Sequence, residues 1–263
     1  MDLGLRNKTI VVTGGSSGIG LASVRVFLSE GARVAFCARG AERLAKVEGG
    51  LAREYGADRI LARPFSVLDQ DAVEAFANDV AAHFGGCDAL VTNAGQGRVS
   101  TYAETSDDDW REELDLKFFS QLRPIRAFEA MLKSSDHGAI VGVNSLLAYQ
   151  PEPHMVCTSA ARAGVQNLLK SLANEFAPDI RVNSILLGLV DSQQWQRRFE
   201  ARADESQTRE DWFAARAAEK KIPLGRLGEP QEVARAIAFL AAPVASYITG
   251  ARLEISGGVS RFA

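Results

Sequence analysis

Short apolar stretches alternate with longer amphipathic stretches along the chain. The first apolar stretch is residues 8–13 (KTIVVT), and it runs into a glycine-rich turn. Beyond the turn, apolar residues recur at helical spacing from Ile19 to Phe27, and Gly31 is a typical stop signal. A second strand at residues 32–37 (ARVAFC) completes a strand–helix–strand unit.

The same alternation continues to the end of the chain. Further strands are predicted at residues 59–65, 88–92, 139–144, 180–186 and 252–255, and helices at 41–55, 69–84, 107–131, 156–176 and 229–241. Strands that alternate with helices in this way are typical of a parallel sheet covered by helices on both faces. The sequence therefore predicts the α/β class, with residues 1–263 forming one domain around a doubly wound parallel sheet.

Residues 192–221 break the pattern, because they are polar, of mixed helical character, and inserted between a predicted strand and the last predicted helix. Trp195, Phe199, Trp212 and Phe213 supply apolar positions among the charges. Two interpretations stay open for this insertion. It is either a mobile helical lid over a substrate or a permanently packed subdomain or subunit contact.

Composition and charge narrow the class of protein. The 30 basic and 33 acidic residues leave no broad basic surface for nucleic acid or an anionic membrane. No apolar run approaches the roughly 20 residues of a spanning helix, and the first residues lack a signal-peptide layout, so we expect a cytoplasmic protein. Cys37, Cys87 and Cys157 are too scattered for a disulfide framework or a CxxC pair, and no metal is expected.

The glycine-rich turn, residues 14–20 (GGSSGIG), follows the first predicted strand and opens the first helix. Backbone N–H groups at such a turn point to where a pyrophosphate can bind. The spacing is TGxxxGxG from Thr13 to Gly20, which differs from the ordinary GxGxxG fingerprint. Many turns between a strand and a helix contain glycine only because it relieves steric crowding. The glycine turn alone therefore does not establish dinucleotide binding, and other segments of the chain are needed as evidence.

This turn and several later segments resemble the short-chain dehydrogenase/reductase family over nearly the whole chain. The later segments are TNAG at 92–95, VNS at 143–145, RVNS at 181–184, RLGEP at 226–230, ITG at 248–250 and SGG at 256–258. The resemblance implies a Rossmann-type fold and a nicotinamide cofactor. It also implies a homotetramer or homodimer packed through the helices at 107–131 and 156–176.

By the same resemblance, a defined set of residues would hold the cofactor. They are Gly14, Ser16, Ser17, Gly18, Ile19 and Gly20 at the phosphates, Ser66 and Val67 near the adenine, Asn93, Ala94 and Gly95 along the adenosine half, Arg162 at the ribose, and Val190 and Ser192 at the carboxamide. Residues 187–192 (LGLVDS) stand in the place of the family's PGxIxT, without its proline and with serine for threonine.

Arg39 bears on the choice of cofactor. An NAD-type site has an acidic residue after the second strand, whereas this chain has Ala38 and Arg39 there. Arg39 can pair with a 2′-phosphate, so we expect NADP(H) in preference to NAD(H). The alternative is that Arg39 only faces solvent at the end of the strand.

The catalytic set that the resemblance implies is largely replaced. Ser145 stands in the place of the catalytic serine, but Thr158 replaces the tyrosine, Arg162 the lysine and Lys117 the asparagine. A nearby cation brings the pKa of a tyrosine towards neutrality, but a threonine hydroxyl stays un-ionised. Arg162 can bind ribose hydroxyls, yet its permanently charged guanidinium does not transfer protons.

Lys117 is the first candidate for the missing proton donor. A lysine that is desolvated beside another cation reaches a useful pKa, and the flanking apolar residues Leu114, Leu116, Phe118 and Phe119 indicate a buried helix segment. The alternative is a solvated lysine on the helix surface.

Tyr149 and His154 are further candidates, in a loop stiffened by Pro151 and Pro153. Each is alternatively a structural residue. The acidic run at residues 107–109 is interpreted as the first turn of a helix, where negative charge is favoured.

Together these observations predict an NADP(H)-dependent oxidoreductase with an atypical proton-transfer site. It would transfer hydride to or from a small organic substrate. The alternative is a non-catalytic nucleotide-binding partner or sensor with the same fold.

Overall fold

In the computed structural model, which describes residues 2–202, 204 and 206–261, seven parallel strands form one sheet in the order β3-β2-β1-β4-β5-β6-β7. The strands are β1 (Thr9–Thr13), β2 (Arg33–Ala38), β3 (Ile60–Pro64), β4 (Ala89–Thr92), β5 (Ala139–Ser145), β6 (Arg181–Leu187) and β7 (Arg252–Ile255). The strand order reverses between β1 and β4, which opens a crevice at their carboxyl ends. The predicted doubly wound sheet is confirmed.

Helices cover both faces of the sheet. They are α1 (Gly18–Ser29), α2 (Ala41–Tyr55), α3 (Gln70–Phe84), α4 (Asp107–Leu114), α5 (Ser120–Lys133), α6 (Val156–Glu175), α7 (Gln193–Glu200), α8 (Arg209–Glu219) and α9 (Pro230–Ala241). Ile10 and Val12 pack in one apolar cluster with α1, α2 and α9, whereas Val11 packs in another with α3, α5 and α6. Consecutive residues of β1 are therefore buried on opposite faces, which explains why the strand is apolar throughout.

The segment predicted as one long helix at 107–131 contains a local change of winding. Helix α4 passes through a π-helical turn, Asp115–Phe119, before α5 continues to Lys133. Ser106 caps α4 in a capping box with Asp109, so the interpretation of the acidic run as a helix start is confirmed. Such π-turns occur often at functional sites, and this one contains Lys117.

The glycine turn is tied to the end of β4. Gly14 has a φ of +73°, a left-handed conformation that glycine adopts without strain. The side-chain amide of Asn93 donates to the Thr13 carbonyl oxygen at 3.0 Å, and the Thr13 hydroxyl accepts from the backbone N–H groups of Asn93 and Ala94 at 2.9 and 3.0 Å. These bonds fix the two sides of the crevice relative to each other.

The polar insertion forms two helices, α7 and α8, with an apolar cluster of its own. Trp212, Phe213, Ala217, Ile222 and Leu227 are its buried members. This cluster is separate from the two that cover the sheet. Ile222 and Leu227 of this cluster, and Leu189 and Val259 packed against it, lie outside residues 192–221, so apolar contacts also join the insertion to the rest of the domain.

Gly20 gives a test of the tight glycine turn. A Cβ at this position would overlap the Gly14 carbonyl oxygen and lie 2.7 Å from Nδ2 of Asn93. We expect Gly20→Ala to destabilise the protein by about 1–3 kcal/mol, because overpacking displaces the turn. Chemical denaturation measures this, with Gly86→Ala as the control, because a Cβ there meets nothing within 4 Å. Equal stabilities of the two variants would contradict the prediction.

Candidate active site

The start of α1 offers backbone donors at the carboxyl end of β1. Ser17 precedes the helix in an extended conformation, and its side chain caps no N–H group among the described residues. The first turn of α1 carries no acidic residue. The N–H groups of this turn are thus available to an anion, and the absence of a Cβ at Gly20 leaves the turn compact. The residues present fit the phosphates of a dinucleotide.

Arg39 lies exposed just beyond β2, at the same edge of the sheet. Within the part of the chain that the structure describes, its side chain makes no ion pair. Ser66 follows the neighbouring strand β3, where its hydroxyl accepts from the backbone N–H of Leu68 at 3.3 Å, and Val67 is buried. The geometry leaves the Arg39 guanidinium available to a ligand.

The loop after β6 is held by the segment that precedes α9. The backbone N–H of Asp191 donates to the Gly228 carbonyl oxygen at 2.8 Å, and the Gly228 N–H donates to the Leu189 carbonyl oxygen at 3.0 Å. Val190 is buried between them, whereas Ser192 is half-buried at the start of α7. The loss of the family's proline from this loop is therefore compatible with an ordered backbone.

Ser145 ends β5, and Arg162 of α6 packs beside it. The Ser145 hydroxyl contacts the Leu187 carbonyl oxygen at 3.4 Å and accepts from the Leu147 N–H at 3.3 Å. The Arg162 guanidinium donates to the Val143 carbonyl oxygen at 3.2 Å and to Oδ1 of Asn144 at 3.3 Å. Its buried Nε has no hydrogen-bond partner among the described residues.

Burial lowers the pKa of Arg162 to about 10, with the nearby Glu113 acting in the opposite direction. The guanidinium is consequently a positive charge throughout the neutral range. The charge of Arg162 acts on the desolvated Lys117 and lowers the pKa of that lysine.

Lys117 lies in a buried ion pair. Its Nζ is 2.7 Å from Oε1 of Glu113, and the two side chains are 3% and 2% exposed. Nζ also donates to the Gln96 carbonyl oxygen at 2.5 Å. Burial, and then the charge of Arg162, lower the pKa of Lys117 to about 8, while Glu113 opposes this shift. The expectation of a buried lysine is confirmed, and the alternative of a solvated helix lysine is wrong.

Thr158 is buried against the same carboxylate. Its hydroxyl bonds to Oε1 of Glu113 and lies 3.2 Å from both the N and the O of Arg98. Sequence reasoning missed Glu113 altogether. The signal was present as a Glu–Lys pair four residues apart in a segment flanked by apolar residues, although one of these, Leu114, is 40% exposed.

Tyr149 and His154 lie outside this cluster. The Tyr149 hydroxyl accepts from Nη1 of Arg252 at 2.9 Å, and that guanidinium covers the ring at 4.7 Å. His154 is half exposed, with Nε2 3.1 Å from Glu152, which also pairs with Lys220 at 3.0 Å. The structure thus brings Lys117 and Thr158 together at Glu113, with the Arg162 charge acting on Lys117. Arg162 also contacts Val143 and Asn144 of β5, the strand that ends at Ser145. The structure places Tyr149, in the loop after β5, against Arg252 of the edge strand β7, and His154 near Lys220 through their shared partner Glu152.

Two ion pairs join the insertion to loops of the domain. Arg209 of α8 pairs with Asp191 and lies over the Phe213 ring at 4.5 Å. The Trp212 ring contacts those of Trp195 and Phe199 at centroid distances of 6.1 and 5.8 Å. Its aromatic residues therefore hold α7 and α8 together, and Asp191 and Glu152 connect them to the site loops.

The three cysteines are free and buried, and burial raises the pKa of the Cys37 thiol to about 12. Among the residues that the structure describes, no group of three His, Cys, Asp or Glu side chains lies close enough together to hold a metal ion. Among these same residues, no helix has the length and apolar character needed to cross a membrane.

A parallel sheet whose first glycine turn opens a helix, beside the reversal of strand order, defines a dinucleotide-binding α/β protein of the Rossmann type. The family model described as Enoyl-(Acyl carrier protein) reductase matches residues 14–260. The chain also aligns over its length with a 3α-hydroxysteroid dehydrogenase from Mediterraneibacter gnavus, at 31% identity over 264 residues and 98% of each chain.

Two solved structures are more similar. The apo structure of a short chain oxidoreductase from Pseudomonas aeruginosa, described as containing an atypical catalytic center, is 56% identical, with a TM-score of 0.96 and 100% of both chains covered. An NADPH-bound structure of the same description is 55% identical, with a TM-score of 0.92 and 98% of this chain and 100% of that chain covered. The chain therefore belongs to the short-chain dehydrogenase/reductase family of oxidoreductases, which bind a nicotinamide cofactor.

Proposed function

We propose that this protein is an NADP(H)-dependent oxidoreductase in which Lys117, instead of a tyrosine, handles the proton. The observation that carries the proposal is the buried Lys117 ammonium, which has two of its three N–H groups engaged, by Glu113 and the Gln96 carbonyl. The third N–H has no partner among the described residues and would donate to a substrate oxygen or nitrogen. A pKa of about 8 suits proton transfer near neutral pH.

The cofactor would be held along the carboxyl ends of the strands. Residues 14–20 and the start of α1 would bind its phosphates, Arg39 the 2′-phosphate, and Arg162 the ribose. Asn93 supports the glycine turn through its bond to the Thr13 carbonyl. Ser66, Val67, Ala94, Gly95, Val190 and Ser192 would complete the site. The NADPH-bound relative supports this choice of cofactor.

In the direction of reduction, a nicotinamide cofactor held by these residues would supply the hydride for the carbon of a carbonyl or imine substrate. Lys117 gives one proton to the substrate oxygen or nitrogen, becomes a neutral amine, and regains a proton from solvent. The Ser145 hydroxyl, held at 3.4 Å from the Leu187 carbonyl oxygen, turns to donate to the same substrate atom. Arg162 contributes a fixed positive charge and keeps the pKa of Lys117 low.

We also assign residues 192–221 the role of a mobile lid. Their aromatic cluster, against which Leu189 and Val259 pack, is separate from the two clusters that cover the sheet, and ion pairs of Lys220 with Glu152 and Arg209 with Asp191 join them to neighbouring loops. Ion pairs that are partly exposed contribute about 0–1 kcal/mol, so they permit opening. The homotetramer or homodimer, the cytoplasmic location, and the catalytic roles of Tyr149 and His154 stay predictions.

Removal of Lys117 tests the chemistry. We expect Lys117→Ala to lower kcat by roughly 10²–10⁴-fold while NADPH affinity is nearly unchanged, because a positioned acid is lost. The assay is NADPH oxidation with a panel of carbonyl and imine substrates. The control is Lys133→Ala, which removes an exposed lysine paired with Glu129 at the same four-residue spacing. Thr158→Val should cost much less, because its hydroxyl supplies only a hydrogen bond.

The pH dependence of the same assay has a defined sign. Lys117 donates only while protonated, so reduction should slow as the pH rises through about 8. If Lys117→Ala is fully active and Tyr149→Phe or His154→Ala is inactive, the donor lies in the loop instead. If the parent reduces no substrate of the panel, a non-catalytic nucleotide-binding function replaces the proposal.

Arg39 tests the cofactor preference. We expect the parent to bind NADPH more tightly than NADH, and Arg39→Ala to lose about ten- to a hundredfold of NADPH affinity, because one charge-assisted contact to the phosphate disappears. NADH affinity should stay the same. Calorimetric titration measures both, with Arg53→Ala of α2 as a control of equal charge. Equal affinities for the two cofactors in the parent would rule out the preference.

Hydrogen exchange tests the lid. Backbone amides of α7 and α8 should exchange more slowly once NADPH and substrate are bound, since closure protects them. Helix α9 belongs to the sheet core and serves as the internal reference. Exchange in residues 192–221 that is equally slow with and without ligands indicates a permanently packed subdomain.

A further inference from the structure

Glu113 has no place in the catalytic set that the family resemblance implies, yet it contacts two members of the replaced set. Its Oε1 lies 2.7 Å from Nζ of Lys117 and also binds the Thr158 hydroxyl. We propose that Glu113 is a positioning residue that fixes the Lys117 ammonium and engages the Thr158 hydroxyl on one carboxylate oxygen, so that Lys117 is the donor facing the cleft. This inference rests on the function proposed above.

The first step of the inference concerns the orientation of Lys117. Lysine has a flexible four-carbon stem, and its ammonium carries three equivalent donors, so a lysine acid needs anchors to present one N–H. Glu113 supplies one anchor from the preceding turn of α4, and the Gln96 carbonyl, at 2.5 Å, supplies another from the loop after β4. Two anchors on different elements define where the remaining N–H points.

The second step concerns Thr158. A hydroxyl has one proton, and the protein offers that of Thr158 two acceptors, Oε1 of Glu113 in a short contact and the Arg98 carbonyl oxygen at 3.2 Å. The Thr158 oxygen in turn accepts from the backbone N–H of Arg98 at 3.2 Å. Thr158 therefore has no proton left for a substrate. By binding the Thr158 hydroxyl, Glu113 helps to prevent Thr158, which stands in the tyrosine position, from donating a proton to the substrate.

The third step concerns the charge balance. The groups that act on Lys117 are Glu113 on α4 and Arg162 and Cys157 on α6. The guanidinium of Arg98, whose backbone contacts Thr158, pairs instead with Asp109 and Glu112. Burial and Arg162 favour the neutral amine, while Glu113 favours the ammonium. Without Glu113, Lys117 would lose its proton at a lower pH and would no longer be an acid at neutrality.

The pKa of Lys117 can be measured without cofactor or substrate. Lysines labelled with ¹³C at Cε are titrated by NMR, and the Lys117 signal is identified by its absence in Lys117→Met. We expect Glu113→Gln to lower the titration midpoint by about one unit or more, because an opposite charge in contact shifts a pKa by that amount. Glu112→Gln, which removes an exposed carboxylate one residue away, should leave the midpoint unchanged. A midpoint that is unchanged or raised in Glu113→Gln overturns the proposal.

Glu113→Asp covers the case in which the glutamine variant fails to fold. It keeps the charge but withdraws it by one methylene, so the midpoint should fall by less than in Glu113→Gln and still lie below that of the parent. An Asp variant with the parent midpoint overturns the proposal.

The pH profile of kcat/KM for NADPH-dependent reduction tests separately whether the titration of Lys117 controls the activity. In Glu113→Gln its descending limb should move to lower pH with the NMR midpoint. If the NMR shift occurs but the parent reduces nothing, the proposed function fails and the positioning role stands. If the parent is active but the midpoint does not move in Glu113→Gln, the proposed function stands and the positioning role of Glu113 fails.

Discussion

A parallel sheet buried on both faces confines chemistry to the ends of its strands. Ile10, Val11 and Val12 have no exposed surface, so no polar group can act from the middle of β1. The polar residues Thr13 and Ser145 stand where their strands end, beside the reversal of strand order. Every other feature of the site depends on this restriction. The glycine turn, the Asn93 bonds and the buried ion pair are all arranged around one edge of the sheet.

The same restriction explains what the sequence could predict. Apolar strands between amphipathic helices determine the sheet, and the order of the motifs determines which residues reach its carboxyl edge. The cofactor site at the start of α1 was predicted from the glycine turn together with its place between the first strand and the first helix and with the later motifs. The burial of Lys117 followed from its apolar neighbours. These inferences use local pattern, which the fold preserves because each element is short and is buried on a predictable face.

What escaped prediction depends on contacts between distant segments. Glu113 with Lys117 and Glu129 with Lys133 have the same spacing, yet the first pair is buried and the second exposed. Packing against α6 and the loop after β4 makes the difference, and no pattern within the helix reveals it. Tyr149 likewise pairs with Arg252, which is distant in sequence. The π-helical turn was hidden because its residues also suit an α-helix.

Burial of the three cysteines affects how the folded protein responds to oxidants. A thiol reacts with peroxide or with another thiol as its thiolate, and burial keeps the pKa of Cys37 and Cys87 well above the ordinary range. Cys157 is also buried. All three cysteine thiols of the folded chain are therefore shielded from solvent. Thiol-directed labels would report on its unfolding, and aged preparations should not become cross-linked through disulfides while the fold persists.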